Sequence, residues 1–302
     1  MSTVVISEFM DEAAAARIGA THDTVHDPTL ADDRSRLLAL VGDARAIIVR
    51  NRTLVDAELL AAAPSLEIVG RLGVGLDNID VPACEAAGVA VRTAAGANAS
   101  AVAEHVIGAL LALARPTLGT TDRVLAGEWP RTSSIGRELG GRRLGLIGFG
   151  MTARAVGMRA QALGMDVAGH DPLVEAAPFP NLALDDLLGR SDAVSVHVPL
   201  TPATTHLLDG RRLGLLPPGA WVVDTSRGGV TDLDAVAEAL RSGHLGGAAI
   251  DVFPDEPPGR ETLAVLEGVP RLILTPHVAG VTEESNALIG TMIAGAVLEA
   301  LA

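Results

Sequence analysis

Three polar residues that follow short apolar runs could together exchange a proton with a substrate that carries a carboxylate. Arg227 precedes two glycines, Glu256 lies in a proline-rich loop, and His277 follows Pro276. A guanidinium can hold a carboxylate through two parallel hydrogen bonds. A histidine can exchange a proton near neutral pH, and a neighbouring carboxylate would fix its tautomer. The set predicts acid–base chemistry, with Glu256 as the candidate partner of His277.

The residue pattern alone leaves alternatives open at two of these positions. His170 and His197 also fall at the ends of predicted strands, so three histidines compete for the role of acid–base group. Arg227 could equally form an ion pair at the surface. The other five histidines fall in polar segments or in an apolar helix, where solvation or packing is the more common role.

A glycine-rich turn in the middle of the chain predicts a dinucleotide site. Residues 148–153 read Gly-Phe-Gly-Met-Thr-Ala, between an apolar run and an alanine-rich segment. Gly148 would make the tight turn, and Gly150 would let a pyrophosphate approach the backbone where a helix begins. Asp171 follows the next apolar run, 21 positions after Gly150, and would accept hydrogen bonds from ribose hydroxyls. Because that carboxylate would repel a 2′-phosphate, the pattern favours NAD over NADP.

Composition argues against several classes of function. The net charge of −14 argues against nucleic acids and anionic membranes as partners, since both are bound by basic surfaces. Cys84 is the only cysteine, and no His or Cys residues stand at metal-ligand spacing, so we expect no disulfide and no metal. No uninterrupted apolar run reaches the length of a membrane span, and the first residues lack the pattern of a signal peptide. We therefore expect a cytoplasmic protein.

The elements that must position these residues alternate between strands and helices. This alternation predicts parallel sheets that are covered by helices on both faces. A length of 302 residues favours two domains, and residues 281–301 are expected to form a long amphipathic helix. The predicted fold class is α/β, with two doubly wound parallel-sheet domains and ligands in a crevice at the carboxyl ends of the strands.

Several motifs in one order resemble the D-isomer-specific 2-hydroxyacid dehydrogenases, nearest the phosphoglycerate dehydrogenase branch. The resemblance covers nearly the whole chain. It implies a Rossmann-type NAD domain at residues 96–280, inserted in a flavodoxin-like substrate domain at residues 1–95 and 281–302. It also implies a homodimer. The motifs that carry it lie at residues 70–80, 98–105, 146–153 with Asp171, 197–204, 225–229, 251–257 and 276–280.

The resemblance implies roles that spacing leaves open. It implies that Arg227 binds the substrate carboxylate, that His277 is the acid–base residue and that Glu256 is its partner. The implied reaction is hydride transfer between NAD and a small 2-hydroxy acid or 2-keto acid. The backbone at Val74 and Gly75 is implied to hold the substrate carboxylate. Cofactor contacts are implied at Gly148, Phe149, Gly150, Met151, Asp171, Val198, Pro199, Thr225, Ser226, Asp251 and Gly280.

Six positions depart from the family pattern, and two of them are Ala95 in place of proline and Pro254 in place of an acid. Met151 and Thr152 replace the usual Arg-Ile after the glycines, which removes one expected pyrophosphate contact. Asp224 stands where asparagine is common, and Thr231 replaces the usual aspartate. None of these changes removes a proposed catalytic group.

Two arginines after a predicted strand suggest a second anionic group on the substrate. Arg50 and Arg52 lie in a segment that resembles phosphoglycerate dehydrogenases, and residues 6–12 together with 49–53 also resemble bacterial sulfolactate dehydrogenases. Sulfonate and phosphate both suit paired arginines. The alternatives are a reductase of simple 2-keto acids, with both arginines in solvent, and a corepressor-like protein that senses NAD without turnover.

Overall fold

The computed structural model describes residues 3–115, 117, 119–174 and 176–302. The chain divides into two compact units. Unit 1 comprises Met1–Asn98 and Val281–Ala302, and unit 2 comprises Ala99–Gly280. The assignment of one unit to substrate and the other to NAD stays a prediction. Among the described residues, no helix combines the length and the apolar character that a membrane span requires.

Unit 1 is built on a five-stranded parallel sheet with the strand order β2-β1-β3-β4-β5. This is the flavodoxin-like order that the sequence predicts. Its elements are β1 (Thr3–Ile6), α1 (Glu12–Gly19), β2 (Asp23–His26), α2 (Arg34–Leu40), β3 (Ala44–Val49), α3 (Ala57–Ala62), β4 (Ile68–Arg71), α4 (Val81–Ala86), β5 (Ala90–Thr93) and α12 (Glu283–Leu301).

Helices cover both faces of this sheet because alternate residues of a strand point to opposite sides. Val4 and Ile6 belong to the core that contains α1 and α12. Val5, between them, belongs to the core that contains Leu37 of α2 and Leu59 of α3. The predicted burial of both faces is therefore met by two separate aliphatic cores.

The last helix of unit 1 packs closely against the first. It begins at Glu283, two residues later than predicted, because Thr282 and Ser285 form a capping box at its amino end. A Cβ at Gly290 would lie 2.9 Å from the Cβ of Ala14. Glycine at this position therefore permits the close approach of α12 to α1.

Unit 2 is built on a six-stranded parallel sheet with the strand order β11-β10-β9-β8-β6-β7. Beyond β7, Gly169 and Asn181 form an isolated parallel bridge. If this bridge is counted as a further, very short strand next to β7, the strand order of the sheet is that of the Rossmann fold. The elements are α5 (Ala99–Ala114), α6 (Thr121–Leu125), β6 (Arg143–Ile147), α7 (Met151–Ala162), β7 (Asp166–His170), α8 (Leu184–Leu188), β8 (Ala193–Val196), α9 (Gly210–Leu213), β9 (Ala220–Asp224), α10 (Leu233–Arg241), β10 (Leu245–Ile250), α11 (Arg260–Leu266) and β11 (Leu272–Leu274).

The carboxyl ends of the parallel strands in unit 2 lie at one edge of its sheet. The chain runs from β6 outward to β7 and then returns to β8 on the other side of β6, which makes β6 the switch point where ligands bind in such sheets. The candidate residues follow the strands along this edge: the glycine turn after β6, Asp171 after β7, His197 after β8, Arg227 after β9, Asp251 after β10 and His277 after β11.

Candidate active site

The turn after β6 has the geometry that a bound dinucleotide needs. Gly148 has a φ of 100°, and a Cβ there would lie 2.9 Å from the carbonyl oxygen of His197. Both observations require glycine. Gly150 precedes α7, and a Cβ there would meet no atom within 4 Å. Gly150 therefore leaves open space at the amino end of a helix, where backbone N–H groups attract phosphate.

Asp171 is held by the same turn. Its Oδ2 accepts a hydrogen bond from the N–H of Phe149 at 2.9 Å, and its Oδ1 accepts one from Leu173 at 2.9 Å. A carboxylate has about four acceptor positions, so capacity remains for the two ribose hydroxyls of NAD.

A buried hydroxyl near the end of β9 also fits a cofactor. The Oγ1 of Thr225 is buried and has no hydrogen-bond partner among the described residues. A buried hydroxyl without a partner is unfavourable, and a bound ligand would provide one. Val198 and Pro199 follow β8, Ser226 follows Thr225, and Gly280 is the last residue of unit 2.

His277 and Glu256 form a close pair. His277 Nδ1 lies 2.6 Å from Glu256 Oε2, and the other oxygen of Glu256 accepts the N–H of Phe253 at 3.1 Å. His277 has a φ of 54°, which is the left-handed region that few residues other than glycine adopt. Residues held in this region often belong to functional sites. The structure thus brings together the two side chains that the sequence predicts as partners, and their catalytic role stays a prediction.

The two competing histidines have different surroundings. His197 Nε2 lies 2.8 Å from Ser195 Oγ, and burial lowers the pKa of His197 to about 4. At neutral pH this ring is uncharged and therefore a poor proton donor. His170 Nδ1 lies 2.8 Å from the carbonyl oxygen of Leu182. Neither ring has a carboxylate partner among the described residues, whereas His277 does.

A buried carboxylate holds the loop that carries Arg227. Asp224 is 1% exposed, and its Oδ1 accepts hydrogen bonds from the N–H and the hydroxyl of Ser226 at 2.8 and 2.6 Å. Its Oδ2 accepts the hydroxyl of Thr231 at 2.6 Å. Burial raises the pKa of Asp224 above its ordinary value, and the nearby charge of Asp251 acts in the same direction. Asp224 and Thr231, both departures from the family pattern, therefore bond to each other and close this loop.

Two loops of the site meet at Gly228. A Cβ on Gly228 would lie 1.8 Å from the carbonyl oxygen of Phe253, in the loop that leads to Glu256. Any side chain would push these two backbones apart. Glycine next to Arg227 therefore sets the distance between the loops of the two catalytic candidates.

A second buried carboxylate, Asp251, holds the loop that carries His277. Asp251 is 1% exposed and accepts hydrogen bonds from the hydroxyl of Thr275 at 2.5 Å and from the N–H groups of Val278 and Ala279, both at 2.9 Å. The N–H of His277 donates to the Asp251 carbonyl oxygen at 2.8 Å. Three of about four acceptor positions on the carboxylate are thus occupied by protein. The cofactor contact implied at Asp251 stays a prediction.

The two predicted substrate arginines of unit 1 have different partners. Arg50 donates to Asn286 Oδ1 at 3.3 Å, and its guanidinium lies 5.8 Å from the centre of the Phe9 ring. Burial lowers the pKa of Arg50, while the charge of Glu8 acts in the opposite direction. Arg52 pairs instead with Asp32 in an exposed ion pair. The structure therefore supports Arg50 as the held cation.

The loop that contains both arginines is organised by Glu8, a residue that sequence reasoning missed. Glu8 is 4% exposed, and its carboxylate accepts hydrogen bonds from the N–H groups of four consecutive residues, 50–53, at 2.7 to 3.3 Å. Consecutive N–H groups of this kind form an anion-binding nest. The available signal was an acid directly after an apolar strand.

Val74 and Gly75 lie in the loop after β4, with Val74 43% exposed.

Among the described residues, no three His, Cys, Asp or Glu side chains are grouped as a metal site would require. Within unit 2, the candidate residues are the glycine turn, Asp171, the His277–Glu256 pair and Arg227. Arg50 is the candidate of unit 1.

The chain is similar to dehydrogenases along nearly its whole length. The family model for "D-isomer specific 2-hydroxyacid dehydrogenase, NAD binding domain" matches residues 107–279. The chain is 52% identical to (S)-sulfolactate dehydrogenase of Chromohalobacter salexigens over 95% of its own length and 94% of that protein. It is 41% identical to D-3-phosphoglycerate dehydrogenase of Mycobacterium leprae. This match covers 97% of the present chain and 56% of that longer protein. Among solved structures, the chain is similar to D-lactate dehydrogenase from Aquifex aeolicus complexed with NAD and lactic acid, with a TM-score of 0.85 and 26% identity. The superposition covers 98% of this chain and 94% of that chain.

Proposed function

The chain belongs to the D-isomer-specific 2-hydroxyacid dehydrogenase family, and we propose that Arg227, Glu256 and His277 carry out its reaction. It is an NAD-dependent dehydrogenase of 2-hydroxy acids. The observation that carries the residue assignment is the 2.6 Å contact between His277 Nδ1 and Glu256 Oε2. With Nδ1 engaged by a carboxylate, Nε2 is the ring nitrogen that remains for proton exchange with the substrate.

Each catalytic residue has one task in this proposal. NAD, when bound, supplies the hydride exchange with C2 of the substrate. Arg227 holds the substrate carboxylate and orients the carbonyl. In reduction, His277 Nε2 gives its proton to the oxygen on C2, and in oxidation it takes that proton back. Glu256 fixes the tautomer of the ring and stabilises its protonated form.

The cofactor contacts are proposed at the positions that the sequence predicts. The turn at residues 148–150 and the start of α7 would hold the pyrophosphate, and Asp171 would hold a ribose. Thr225 gains support from its buried hydroxyl without a partner among the described residues. The other predicted contacts, including Val74 and Gly75 for the substrate carboxylate, stay predictions.

The substrate is proposed to carry a second anionic group that binds Arg50. Arg50 is held by Asn286 and by the Phe9 ring, so its guanidinium is positioned before a ligand arrives. A cation that has already lost part of its hydration binds an anion more strongly than a solvated one. The 52% identity to a sulfolactate dehydrogenase favours sulfonate over phosphate. We propose 3-sulfolactate, or the corresponding keto acid, as the substrate.

A steady-state comparison of four hydroxy acids with NAD tests this proposal. We expect wild type to oxidise 3-sulfolactate with a higher kcat/KM than 3-phosphoglycerate, lactate or glycerate. Arg50→Ala should lower kcat/KM for the two doubly anionic substrates by about tenfold or more and leave lactate and glycerate within about twofold. Arg52→Ala, which removes the same charge from the same loop, is the matched control. Equal losses on all four substrates would contradict the proposed role of Arg50, and turnover of lactate alone would identify a reductase of simple 2-keto acids.

A homodimer is also proposed. The segment after α5 in unit 2 exposes three large apolar side chains, Leu125 at 81%, Trp129 at 80% and Ile135 at 74%. Large exposed apolar side chains can mark a protein contact, and the second copy expected from the family is the proposed partner. A cytoplasmic location stays a prediction from the sequence.

A further inference from the structure

One arginine beside the glycine turn has no role in the site described so far. Arg154 lies at the fourth position of α7 and is exposed. Its Nε–H donates to the carbonyl oxygen of Phe149 at 2.9 Å. Its terminal nitrogens, Nη1 and Nη2, have no hydrogen-bond or ion-pair partner among the described residues. The guanidinium is therefore anchored to the turn by one nitrogen and keeps its other donors available.

The helix geometry directs this cation towards the amino end of α7. Side chains on a helix lean towards its amino terminus, and residues three apart lie on one face. Arg154 and Met151 are such a pair, and Met151, 55% exposed, offers no charge. The bond to Phe149 shows that the Arg154 side chain does reach back to the turn that precedes the helix.

A single peptide group of the turn connects this arginine to the ribose-binding acid. The N–H of Phe149 donates to Asp171 Oδ2, and the carbonyl oxygen of Phe149 accepts from Arg154 Nε, both at 2.9 Å. Asp171 and Arg154 are thus fixed on opposite sides of one peptide unit. A dinucleotide carries its ribose hydroxyls and its pyrophosphate at adjacent positions, which matches an acid and a cation held side by side.

The other arginine of α7 is committed elsewhere. Arg159 donates through Nη2 to Ser100 Oγ at 2.6 Å and pairs with Glu104 of α5 at 3.4 Å. It therefore serves the packing of α7 against α5. Arg154 is the arginine of this helix that remains available to a ligand.

We propose that Arg154 binds the pyrophosphate of NAD through its terminal nitrogens, together with the backbone N–H groups of the turn and of α7. The negative charge of the pyrophosphate would complete the donor set of a guanidinium that is already oriented. The proposal depends on NAD binding to unit 2 but not on the identity of the hydroxy acid or on the role of His277.

Equilibrium binding to the enzyme without substrate tests this proposal, measured by titration calorimetry and by NADH fluorescence. Arg154→Met keeps the length of the side chain and removes its charge, and Arg159→Met is the matched control on the same helix. We expect Arg154→Met to raise the Kd of NADH and of ADP-ribose by about tenfold, while competition by adenosine, which lacks the pyrophosphate, stays within about twofold of wild type. Arg154→Lys should lie between wild type and Arg154→Met.

The salt dependence provides a second readout that a purely structural role would not change. Wild type should lose NADH affinity more steeply with increasing salt than Arg154→Met, because an exposed charge contact is screened. Unchanged affinity for NADH and ADP-ribose in Arg154→Met would overturn the proposal. An equal loss for adenosine would also overturn it, since it would assign Arg154 to the structure of the turn. If Arg154→Met does not fold, the comparison of Arg154→Lys with Arg154→Gln decides on the same criteria.

Discussion

Burial determines the charge of His197, which follows β8. Its pKa is lowered to about 4 by burial, against an ordinary value of 6.5. Between these two values the unfolded chain binds a proton that the folded chain does not, so stability rises with pH. The stability that the neutral ring contributes is complete above about pH 6.5 and is lost as the pH falls towards 4.

This linkage predicts a pH-dependent difference between wild type and His197→Gln. Between pH 7.5 and 5, wild type should lose about 1–2 kcal/mol more free energy of unfolding than His197→Gln, because glutamine does not titrate. Urea unfolding at both pH values measures the difference, with His26→Gln at an exposed histidine as the matched substitution. Parallel losses in wild type and His197→Gln would show that the ring is not neutral in the folded state.

Two buried acids act on the site through the loops that they hold. Asp224 bonds to Ser226 and Thr231 on either side of Arg227. Asp251 bonds to Thr275 and to the residues that follow His277. The loops that carry Arg227 and His277, the residues proposed to bind substrate and to exchange protons, are thus held by buried carboxylates.

Among the elements of unit 1, strand pairing brings Glu8 to the loop that carries Arg50 and Arg52. Glu8 follows β1, and residues 50–53 follow β3, which pairs with β1 in parallel. The carboxyl ends of both strands therefore lie side by side, and the acid of one meets the N–H groups of the other. These hydrogen bonds hold the backbone from which the Arg50 side chain extends.

Removal of the Glu8 carboxylate should loosen this loop without touching the catalytic pair. We expect Glu8→Ala to raise the KM for the doubly anionic substrate by about tenfold, with a kcat near that of wild type. Formate at millimolar concentration should restore part of the loss, because it can occupy the empty nest. Glu12→Ala, at an exposed acid of α1, is the control. A KM that does not change, or a loss that formate leaves untouched, would contradict the positioning role.

The elements were largely predictable because their periodicity is strong, and the deviations have physical reasons. The strand next to β7 is reduced to a single bridge at Asn181. The apolar run at that point of the sequence is too short to predict a strand. The last helix begins after its cap at Thr282, since a capping residue is not itself helical. Glu8 was missed because a contact across 42 residues of sequence leaves no spacing pattern. The charge of His197 was not predictable because burial by distant residues determines it.

In the molecule as a whole, an acidic chain needs arginine side chains at the places where its anionic cofactor and substrate bind. The net charge is −14, and the cofactor and the substrate are both anionic. Arg50, Arg154 and Arg227 are the arginines assigned to them, each held by a hydrogen bond to a neighbouring residue. The positive charge of these three arginines thus offsets, at the proposed binding positions, the repulsion of anions by the negative net charge of the protein.

The proposed homodimer predicts a change of mass after one surface substitution. Trp129→Glu places a charge in the exposed apolar segment of unit 2, and burial of that charge in an interface would be unfavourable. Sedimentation velocity should show a dimer for wild type and a shift towards monomer for Trp129→Glu. Leu173→Glu, at a leucine that is 91% exposed outside this segment, should remain dimeric. A monomeric wild type would contradict the proposal directly.

His277 is proposed to exchange the proton of the hydride-transfer reaction. His277→Asn tests it most directly, because asparagine tolerates the left-handed backbone at this position but cannot transfer the proton. We predict that kcat for NAD-dependent oxidation of 3-sulfolactate falls by about 100-fold or more, while the Kd of NADH stays within about twofold of wild type. Wild-type turnover in His277→Asn would show that His277 does not exchange this proton.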